Sequence, residues 1–465
     1  LVLLVLLVMS LLVGMYIMRD AAIVGSGYQA KKLCSHVFLA GRSESSVMQN
    51  ELEPFNPLMS QITHTIDHDA QSVTATAFRL ISATAVYRPG YGCTLSNDDA
   101  PPLPALAVHE KHDAIRATLA NSPWPTGDDT ADRLARNPGL EAVVDQAFSE
   151  PSGDTQIRTR AVVIVHKGQI VAERYAQGFD LNRRFHSWSI TKSLTSALIG
   201  ALEADGKLSR DELAPVAAWR TQDSPHSDIT ITHLLQMSGG FDFAHNLSPI
   251  GKRQLVLFGG VDTVAESIDT PLQAAPGSRW EYANPNPHVL AGIVGDIAGG
   301  LPESVALLNE RLLLPTGMRN TVIEPDAFGN LVVTSFGWAS ARDWARLGLL
   351  YLNNGNWAGQ QLLPEDWVEF STTPAAAAAY ENYGALWWLN RGIDNPDTTP
   401  WAGSNPPFWS LPADAYFAIG HEGNYLGVFP SQDLVIVRLG LTRDRWAWRF
   451  EPFARQVLDV LEAQP

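Results

Sequence analysis

A serine and a lysine three residues apart, Ser189 and Lys192, are the pair in this sequence best suited to chemistry. They stand at the predicted start of a helix, where three residues make most of a turn, so both side chains lie on one face and can touch. A serine hydroxyl is a weak nucleophile until a neighbour takes its proton, and a lysine amine can be that neighbour. The helix N-terminus adds unpaired N–H groups that suit the oxyanion of an acyl-enzyme. The pair predicts a serine hydrolase if other segments supply a general base and a second oxyanion donor beside it.

Two later segments supply such groups. Tyr282 and Asn284 stand two positions apart in an aromatic-rich loop. A tyrosine beside a lysine ammonium has its phenolate favoured, so Tyr282 is expected to act as general base toward Ser189 and later to return the proton to the leaving group. Asn284 can donate to a substrate carbonyl and accept from the lysine. Near the C-terminus, Gly423 would let the backbone approach the substrate, and an N–H group there would complete an oxyanion hole with that of Ser189.

In this order, the motifs Ser189–Lys192, Tyr282–Asn284 and His421–Gly423 resemble the active-site motifs of the serine β-lactamase and penicillin-binding-protein superfamily. The resemblance spans roughly residues 125–465 and is strongest to the branch of class C β-lactamases, D-Ala-D-Ala peptidases, family VIII esterases and 6-aminohexanoate-dimer hydrolases. It implies a nucleophilic Ser189, a proton-sharing Lys192, a general base in Tyr282 and no metal or organic cofactor. It also implies an oxyanion hole formed by the backbone N–H groups of Ser189 and Asn424.

The third motif departs from the β-lactamase pattern. Lactamases have a lysine and usually a threonine where this chain has His421 and Glu422. If Glu422 faced the cleft, its charge would oppose a substrate carboxylate; it could equally point to the far side of its strand. The motif favours an esterase or amidase similar to the 6-aminohexanoate-dimer hydrolases. A β-lactamase or D-Ala-D-Ala peptidase, and a non-catalytic receptor for cell-wall fragments, remain as alternatives.

Composition narrows the class of partner. The chain has 465 residues and a formal net charge of −16, which disfavours nucleic acid and anionic membrane surfaces as partners. The partner that the resemblance implies is a small ester or amide substrate. Both cysteines lie in the N-terminal quarter, so a thiol nucleophile is excluded from the region of the motifs. The histidines with spacing closest to that of a zinc site are interpreted as surface residues: His64, His68, His109 and His112. The oligomeric state is left open.

The chain is expected to have four parts. Residues 1–18 are apolar apart from Ser10 and Gly14, and the segment 1–19 predicts an N-terminal membrane anchor or uncleaved signal, with the catalytic domain on the extracytoplasmic, periplasmic side. Residues 20–100 form a small module, 101–130 a linker and 131–465 the hydrolase domain. Cys34 and Cys93 either pair, which would stabilise the module by roughly 4 kcal/mol, or are two unrelated thiols.

The pattern of the large domain predicts an α/β (α+β) fold in which strands from both ends form one antiparallel sheet, flanked by helices and a helical subdomain. A hairpin over 161–166 and 169–175, and strands at 416–419, 425–429 and 434–439, are the predicted sheet. Helices are predicted from Ser189 to about Ala204 and over Ala339–Leu352. Aromatic residues before the third motif are interpreted as core or as an apolar wall for an acyl group: Trp387, Trp388, Trp401, Phe408 and Trp409.

Overall fold

Helices and strands are interspersed along the chain in the computed structural model, which describes residues 2–52, 57–106, 110–130, 137–152, 155–221, 223–243, 251–392, 406–444 and 446–463. The strands are β1 Ile62–Asp67, β2 Ser72–Ala77, β3 Ile81–Arg88, β4 Gly92–Leu95, β5 Thr159–His166, β6 Gln169–Tyr175, β7 Phe185–His186, β8 Val322–Ile323, β9 Gly337–Ala339, β10 Asn356–Trp357, β11 Gln360–Gln361, β12 Trp388–Leu389, β13 Tyr416–Gly420, β14 Asn424–Phe429 and β15 Leu434–Gly440. The α-helices are α1 Val2–Cys34, α2 Glu44–Asn50, α3 Glu110–Ala120, α4 Pro138–Ala147, α5 Ile190–Ala204, α6 Ile231–Leu235, α7 Lys252–Phe258, α8 Thr263–Ile268, α9 Pro285–Ala298, α10 Leu301–Leu308, α11 Leu314–Thr316, α12 Ala341–Leu352, α13 Trp367–Thr372 and α14 Phe450–Glu462.

The main sheet joins strands from both ends of the large domain, as the sequence predicts. Its order is β12-β13-β14-β15-β5-β6, and every neighbouring pair is antiparallel. Strands β14 and β15 are buried along their whole length, which explains their nearly continuous apolar sequence. The β5–β6 hairpin turns at Lys167 and Gly168, both with positive φ, which matches the twist of a two-residue hairpin.

Helices α12 and α5 cover the main sheet on the side of the helical region. A side chain at Gly348 of α12 would come within 2.6 Å of Val435 and 2.9 Å of Leu426, so glycine lets the helix approach the sheet closely. Helix α5 is buried from Ile190 to Leu202 and contacts both β13 and α9 of the helical region. Its N-terminus therefore opens at the boundary between the sheet and the helices, where the cleft lies.

The N-terminal module is a four-stranded antiparallel meander, β1-β2-β3-β4, packed on the second half of α1. Cys34 and Cys93 form a disulfide inside this small core. The other side of α1 packs on α7: the Tyr28 and Phe258 rings lie 5.1 Å apart, and a side chain at Gly27 would collide with the Phe258 carbonyl. The module thus shares a buried interface with the hydrolase domain.

The first half of α1 exposes large apolar side chains, namely Met9, Val13, Met15, Tyr16 and Met18. Over the residues that the structure describes, no single helix is long and apolar enough to cross a membrane. Two consecutive helical segments, Pro285–Ala298 and Leu301–Thr316, together meet the criteria of length and composition, but the chain bends sharply between them.

Candidate active site

Ser189 sits in the turn that opens α5. Its backbone is already helical and its hydroxyl caps no N–H group, unlike most serines at this position. The hydroxyl instead lies 3.0 Å from Lys192 Nζ. Trp188, immediately before it, has a φ of 51°, a left-handed conformation that a bulky residue adopts only when its surroundings hold it there. Ser189 is half-buried, so the turn presents the hydroxyl to the cleft.

Lys192 is buried, and its amine has no carboxylate partner among the described residues. Its hydrogen-bond partners there are Ser189 and the Thr334 carbonyl, 2.8 Å away, so the expected Asn284–Lys192 hydrogen bond is not formed. Burial lowers the pKa of Lys192 well below its usual value, and the charge of Arg253 adds to the effect. The neutral amine, which can accept a proton, is thereby favoured.

His288 contacts Thr334, the residue whose carbonyl accepts a hydrogen bond from Lys192. Its Nε2 lies 2.9 Å from the Thr334 hydroxyl and its Nδ1 lies 3.2 Å from the Ser267 hydroxyl. Burial, with a smaller contribution from Lys192, lowers the pKa of His288 to about 3, so the ring is neutral and orients Thr334 without adding charge. No sequence motif marks His288 or Thr334, because each acts only through a contact that the fold creates.

Tyr282 completes the group around Ser189. Lys192 Nζ lies 5.0 Å from the centre of the Tyr282 ring. Burial raises the pKa of Tyr282 to about 12, and the nearby Ser189 hydroxyl and the charge of Arg253 oppose this effect to a smaller extent. The three groups meet, but the two pKa shifts run against the expected ionisation. They favour a neutral lysine and a protonated tyrosine, because burial penalises the lysine ammonium and the phenolate alike.

An aromatic wall surrounds Tyr282. Trp388 stacks on it with ring centres 5.4 Å apart, and Tyr383 meets its edge at 6.0 Å. Trp280 joins both neighbours at 5.3 and 6.0 Å. The remaining residues of the predicted aromatic group lie elsewhere: Trp387 and Phe408 are in the core, Trp409 is exposed and Trp401 lies outside the described residues.

The third motif forms the turn between β13 and β14, directly beside Ser189. A side chain at Gly420 would come within 2.2 Å of the Ser187 carbonyl oxygen, so the motif approaches the nucleophile turn at backbone distance. Gly423 has a φ of 76°. The Asn424 amide donates to the His421 carbonyl over 2.6 Å and accepts from the Gly440 N–H over 3.0 Å, which anchors the turn to β15. Asn284 is buried directly before α9.

His421 and Glu422 point in different directions. The His421 side chain is exposed in the cleft, with its ring 5.2 Å from that of Trp188. Desolvation lowers the pKa of His421, against an opposing effect of Glu422, so the ring is neutral near pH 7. The Glu422 side chain is buried, and its carboxylate accepts the Trp188 indole N–H over 2.7 Å. Of the two orientations that the sequence leaves open, the carboxylate takes the one that faces away from the cleft.

Arg253 of α7 is a cation that the sequence does not predict. The guanidinium lies 5.7 Å from the centre of the Phe243 ring, and its charge lowers the pKa values of Lys192, Tyr282 and His421. Arg253 is therefore close enough to all three groups for its charge to act on them. A positive charge thus acts on the group around Ser189, although the third motif has no lysine.

Metal binding has no support in the described ranges, where no three His, Cys, Asp or Glu side chains are grouped as ligands. His64 contacts Gln29 and Glu44, and His68 packs edge-on against Phe38. His109 and the side chain of His112 lie outside the described residues.

Comparison with known proteins agrees with this geometry. The beta-lactamase family profile matches residues 144–451. A 6-aminohexanoate-dimer hydrolase from Paenarthrobacter ureafaciens is 25% identical over 303 residues, which cover 60% of this chain and 72% of that protein. Esterase EstB from Burkholderia gladioli is 29% identical over 223 residues, 43% of this chain and 55% of the esterase. A solved structure from Bacillus anthracis, described as a candidate 6-aminohexanoate-dimer hydrolase, has the same fold, with a TM-score of 0.51, 21% identity, and coverage of 70% of this chain and 81% of that one.

Proposed function

This chain belongs to the beta-lactamase family of serine hydrolases, and from that premise we propose that it cleaves an ester or amide bond through an acyl-enzyme on Ser189. The observation that carries the proposal is the Lys192 amine, 3.0 Å from the Ser189 hydroxyl and without a carboxylate partner in the described part of the chain. A half-buried serine hydroxyl beside a buried amine whose neutral form is favoured is an activated nucleophile.

In the first half of the reaction, Lys192 takes the Ser189 proton as the serine oxygen attacks the carbonyl carbon. The oxyanion is stabilised by the backbone N–H groups of Ser189 and Asn424. Tyr282 keeps its proton in the resting enzyme, so it can donate that proton to the leaving alkoxide or amine. The Lys192 ammonium then reprotonates Tyr282. Proton acceptor and proton donor are thus two groups whose pKa values burial has shifted in opposite directions.

In the second half, water enters from the open side of the cleft and attacks the acyl-enzyme. Tyr282 and Lys192 remove its proton through the reverse relay, and Ser189 leaves with a proton from Lys192. His421 is neutral and exposed in the cleft, so it can donate to or accept from the substrate without repelling a charge.

The substrate we propose is a linear aliphatic ester or amide that carries a carboxylate. Arg253 places a positive charge near the reacting groups, and Glu422 turns its negative charge away. The Trp280, Tyr282, Tyr383 and Trp388 rings form an apolar wall that suits a methylene chain. The relative from P. ureafaciens, by its name, hydrolyses the dimer of 6-aminohexanoate, an amide with those chemical features.

A β-lactamase or D-Ala-D-Ala peptidase is the second candidate, and the same cation favours it, because penicillins and peptidoglycan stems also present a carboxylate. A receptor that binds a cell-wall fragment without turnover is the third. The three candidates predict different reactions at Ser189. The proposed hydrolase turns over linear substrates, and a β-lactamase or peptidase turns over a β-lactam or is stably acylated by it. The receptor does neither.

The test is a matched substrate panel on protein lacking residues 1–19. The p-nitrophenyl ester of hexanoate and the mono-p-nitrophenyl ester of adipate differ only at the far end of the chain, where the first has a methyl group and the second a carboxylate. The 6-aminohexanoate dimer, nitrocefin and a D-Ala-D-Ala peptide complete the panel. We expect the carboxylate-bearing linear substrates to have the highest kcat/KM, and Ser189→Ala to abolish both turnover and labelling by a fluorophosphonate. Turnover of nitrocefin alone would select the second candidate, and activity retained in Ser189→Ala would exclude the mechanism.

Membrane attachment is a further part of the proposal. The apolar side chains exposed on the first half of α1, and a disulfide of the kind that persists in oxidising compartments, favour an anchored domain on the extracytoplasmic side. We expect the full chain to sediment with membranes and to resist extraction at alkaline pH, and the chain lacking residues 1–19 to stay in the supernatant. Equal partitioning of both chains would contradict the anchor.

A further inference from the structure

The two sides of the oxyanion pocket each depend on one residue with left-handed backbone. On one side Trp188, with a φ of 51°, directly precedes Ser189. On the other side Glu422, with a φ of 66°, stands two positions before Asn424. Neither residue is a glycine, so both conformations persist only because contacts elsewhere hold them.

The Glu422 carboxylate ties the two sides together. Its Oε2 accepts the Trp188 indole N–H over 2.7 Å, and the backbone carbonyl of Glu422 accepts the Thr442 N–H over 2.9 Å. The side chain is 5% exposed, so the hydrogen bond lies in a protein interior. One carboxylate thereby bridges the nucleophile turn and the third-motif turn.

A buried carboxylate needs a compensating charge, and Lys32 of α1 supplies it. Its Nζ lies 4.0 Å from Glu422 Oε2 and 5.0 Å from the Trp188 ring, with the lysine side chain 2% exposed. The same Nζ lies 3.1 Å from His186 Nδ1. His186 Nε2 must donate to the Ser335 carbonyl, 2.8 Å away, which leaves Nδ1 as the acceptor for the Lys32 N–H. Lys32 is thus held by a neutral ring and directed at the carboxylate.

We propose that Lys32, contributed by the N-terminal helix, is a positioning residue of the hydrolase reaction: its charge holds the Glu422 carboxylate against Trp188 and so fixes both halves of the oxyanion pocket. This inference rests on the proposed function. It also gives the N-terminal module a role in catalysis, because the β1–β4 sheet buries the segment of α1 that carries the lysine.

The expected consequence is a loss in kcat with little change in KM. Lys32 touches no part of the cleft where a substrate lies, so ground-state binding should persist. Without Lys32, the buried carboxylate would take up a proton or draw in water, and the Trp188 and Glu422 backbones would relax. Displacing the oxyanion donors by a fraction of an ångström weakens only the transition state.

The neighbouring residue supplies a matched control. Lys31 is equally buried on α1 and pairs with a buried carboxylate, that of Glu324. Glu324 also accepts from the Trp338 indole, as Glu422 does from Trp188, but Trp338 lies in β9 and not beside Ser189. Lys31→Met and Lys32→Met therefore remove the same charge from the same helix and differ in whether the carboxylate left without its lysine touches the nucleophile turn.

The experiment compares Lys32→Met, Lys31→Met and the double variant Lys32→Met/Glu422→Gln in the full chain. The readouts are kcat and KM on the best substrate of the panel, the rate of Ser189 labelling by a fluorophosphonate, and thermal unfolding. We expect Lys32→Met to lose on the order of 10- to 100-fold in kcat with KM changed less than about threefold. We expect Lys31→Met to keep kcat within about threefold, and the double variant to recover most of the loss, because a glutamine oxygen still accepts the Trp188 N–H and no charge is left unpaired.

The outcomes separate the two proposals. If wild-type protein neither turns over nor labels, the proposed function and the inference fail together. If the wild type is active but Lys32→Met and Lys31→Met lose the same activity, or the loss lies in KM, the function stands and the inference is overturned. If Lys32→Met does not fold, the double variant decides: a folded, active double variant supports the inference, and a folded, inactive one overturns it.

Discussion

The catalytic cleft and the interface between α1 and the hydrolase domain both bury lysine amines, but they surround them differently. Lys31 and Lys32 each face a buried carboxylate, which opposes the lowering of their pKa values by desolvation. Lys192 faces a serine and a carbonyl, and the charge that acts on its pKa is that of Arg253, a cation. A compensated amine holds two parts of a fold together, whereas an uncompensated one is a base.

Replacing the uncompensated amine is the strongest way to test this contrast. Lys192→Met should lower kcat/KM on the order of 10⁴-fold, because it removes the group that takes the Ser189 proton. The same change should leave the melting temperature unchanged or raised, since it removes a buried polar group that no carboxylate compensates. Steady-state kinetics and thermal unfolding measure both, with Ser189→Ala as the control for background hydrolysis. A Lys192→Met protein that is much less stable than wild type would contradict the contrast.

Replacing a compensated amine should have the reverse effect. Lys31→Met should lower the free energy of unfolding by about 3 kcal/mol, the lower end for a broken buried ion pair, because Ser35 and Trp338 still donate to Glu324. Turnover of the folded fraction should change less than about threefold. Urea unfolding and kcat per active site, counted with a fluorophosphonate, measure the two quantities. A stabilised Lys31→Met variant would mean that the pair is not compensated.

The pH profile sharpens the assignment of acid and base. Lys192 acts as a base only above its folded-state pKa, which lies well below 10.5, so kcat/KM should fall as pH decreases through that lowered value. Tyr282→Phe should lower kcat on the order of 100-fold and leave the pH at which kcat/KM falls unchanged. If that pH changes in Tyr282→Phe, or if kcat/KM falls near pH 12, where the raised pKa of Tyr282 lies, the base is the tyrosine.

The smallest expected effect is at Arg253. Arg253→Met should raise KM for the adipate ester about tenfold and leave the hexanoate ester unchanged, as expected for the loss of one ion pair to a substrate carboxylate. Lys252→Met is the matched control, because that lysine is adjacent but bonds to Thr270 and lies 3.8 Å from Glu266. Equal changes for both esters would show that Arg253 acts through the catalytic groups alone and forms no ion pair with the substrate.

Local sequence patterns predicted many of the helices and strands correctly. The hairpin at Lys167 and Gly168, the helix after Ser189, the amphipathic helix ending at Leu352 and the closing strands all have the predicted type and nearly the predicted bounds. Each depends on short-range rules of periodicity and turn chemistry. The contact between Ser189 and Lys192 is of the same kind, since two residues three apart on one helix meet whatever surrounds them.

The burial of each charged group could not be read in this way. The sequence identifies Tyr282 as a partner of Lys192, but burial opposes the phenolate expected there, because the prediction considered the mutual attraction of two charges and not the desolvation that both would suffer. It leaves the direction of Glu422 open, since that direction depends on the φ of one residue and on a lysine near the other end of the chain. Thr334, His288 and Arg253 carry no motif at all.

The sequence by itself determined which groups are available for the chemistry, in what order they occur, and on which helices and turns they lie. The reason is that the number of residues between two groups decides whether they share a helix face or a turn. The tertiary structure decided which of those groups are charged, which face the cleft, and which cation supports which carboxylate. The physical reason is that ionisation depends on solvent access and on through-space neighbours, and both exist only after distant segments have packed together.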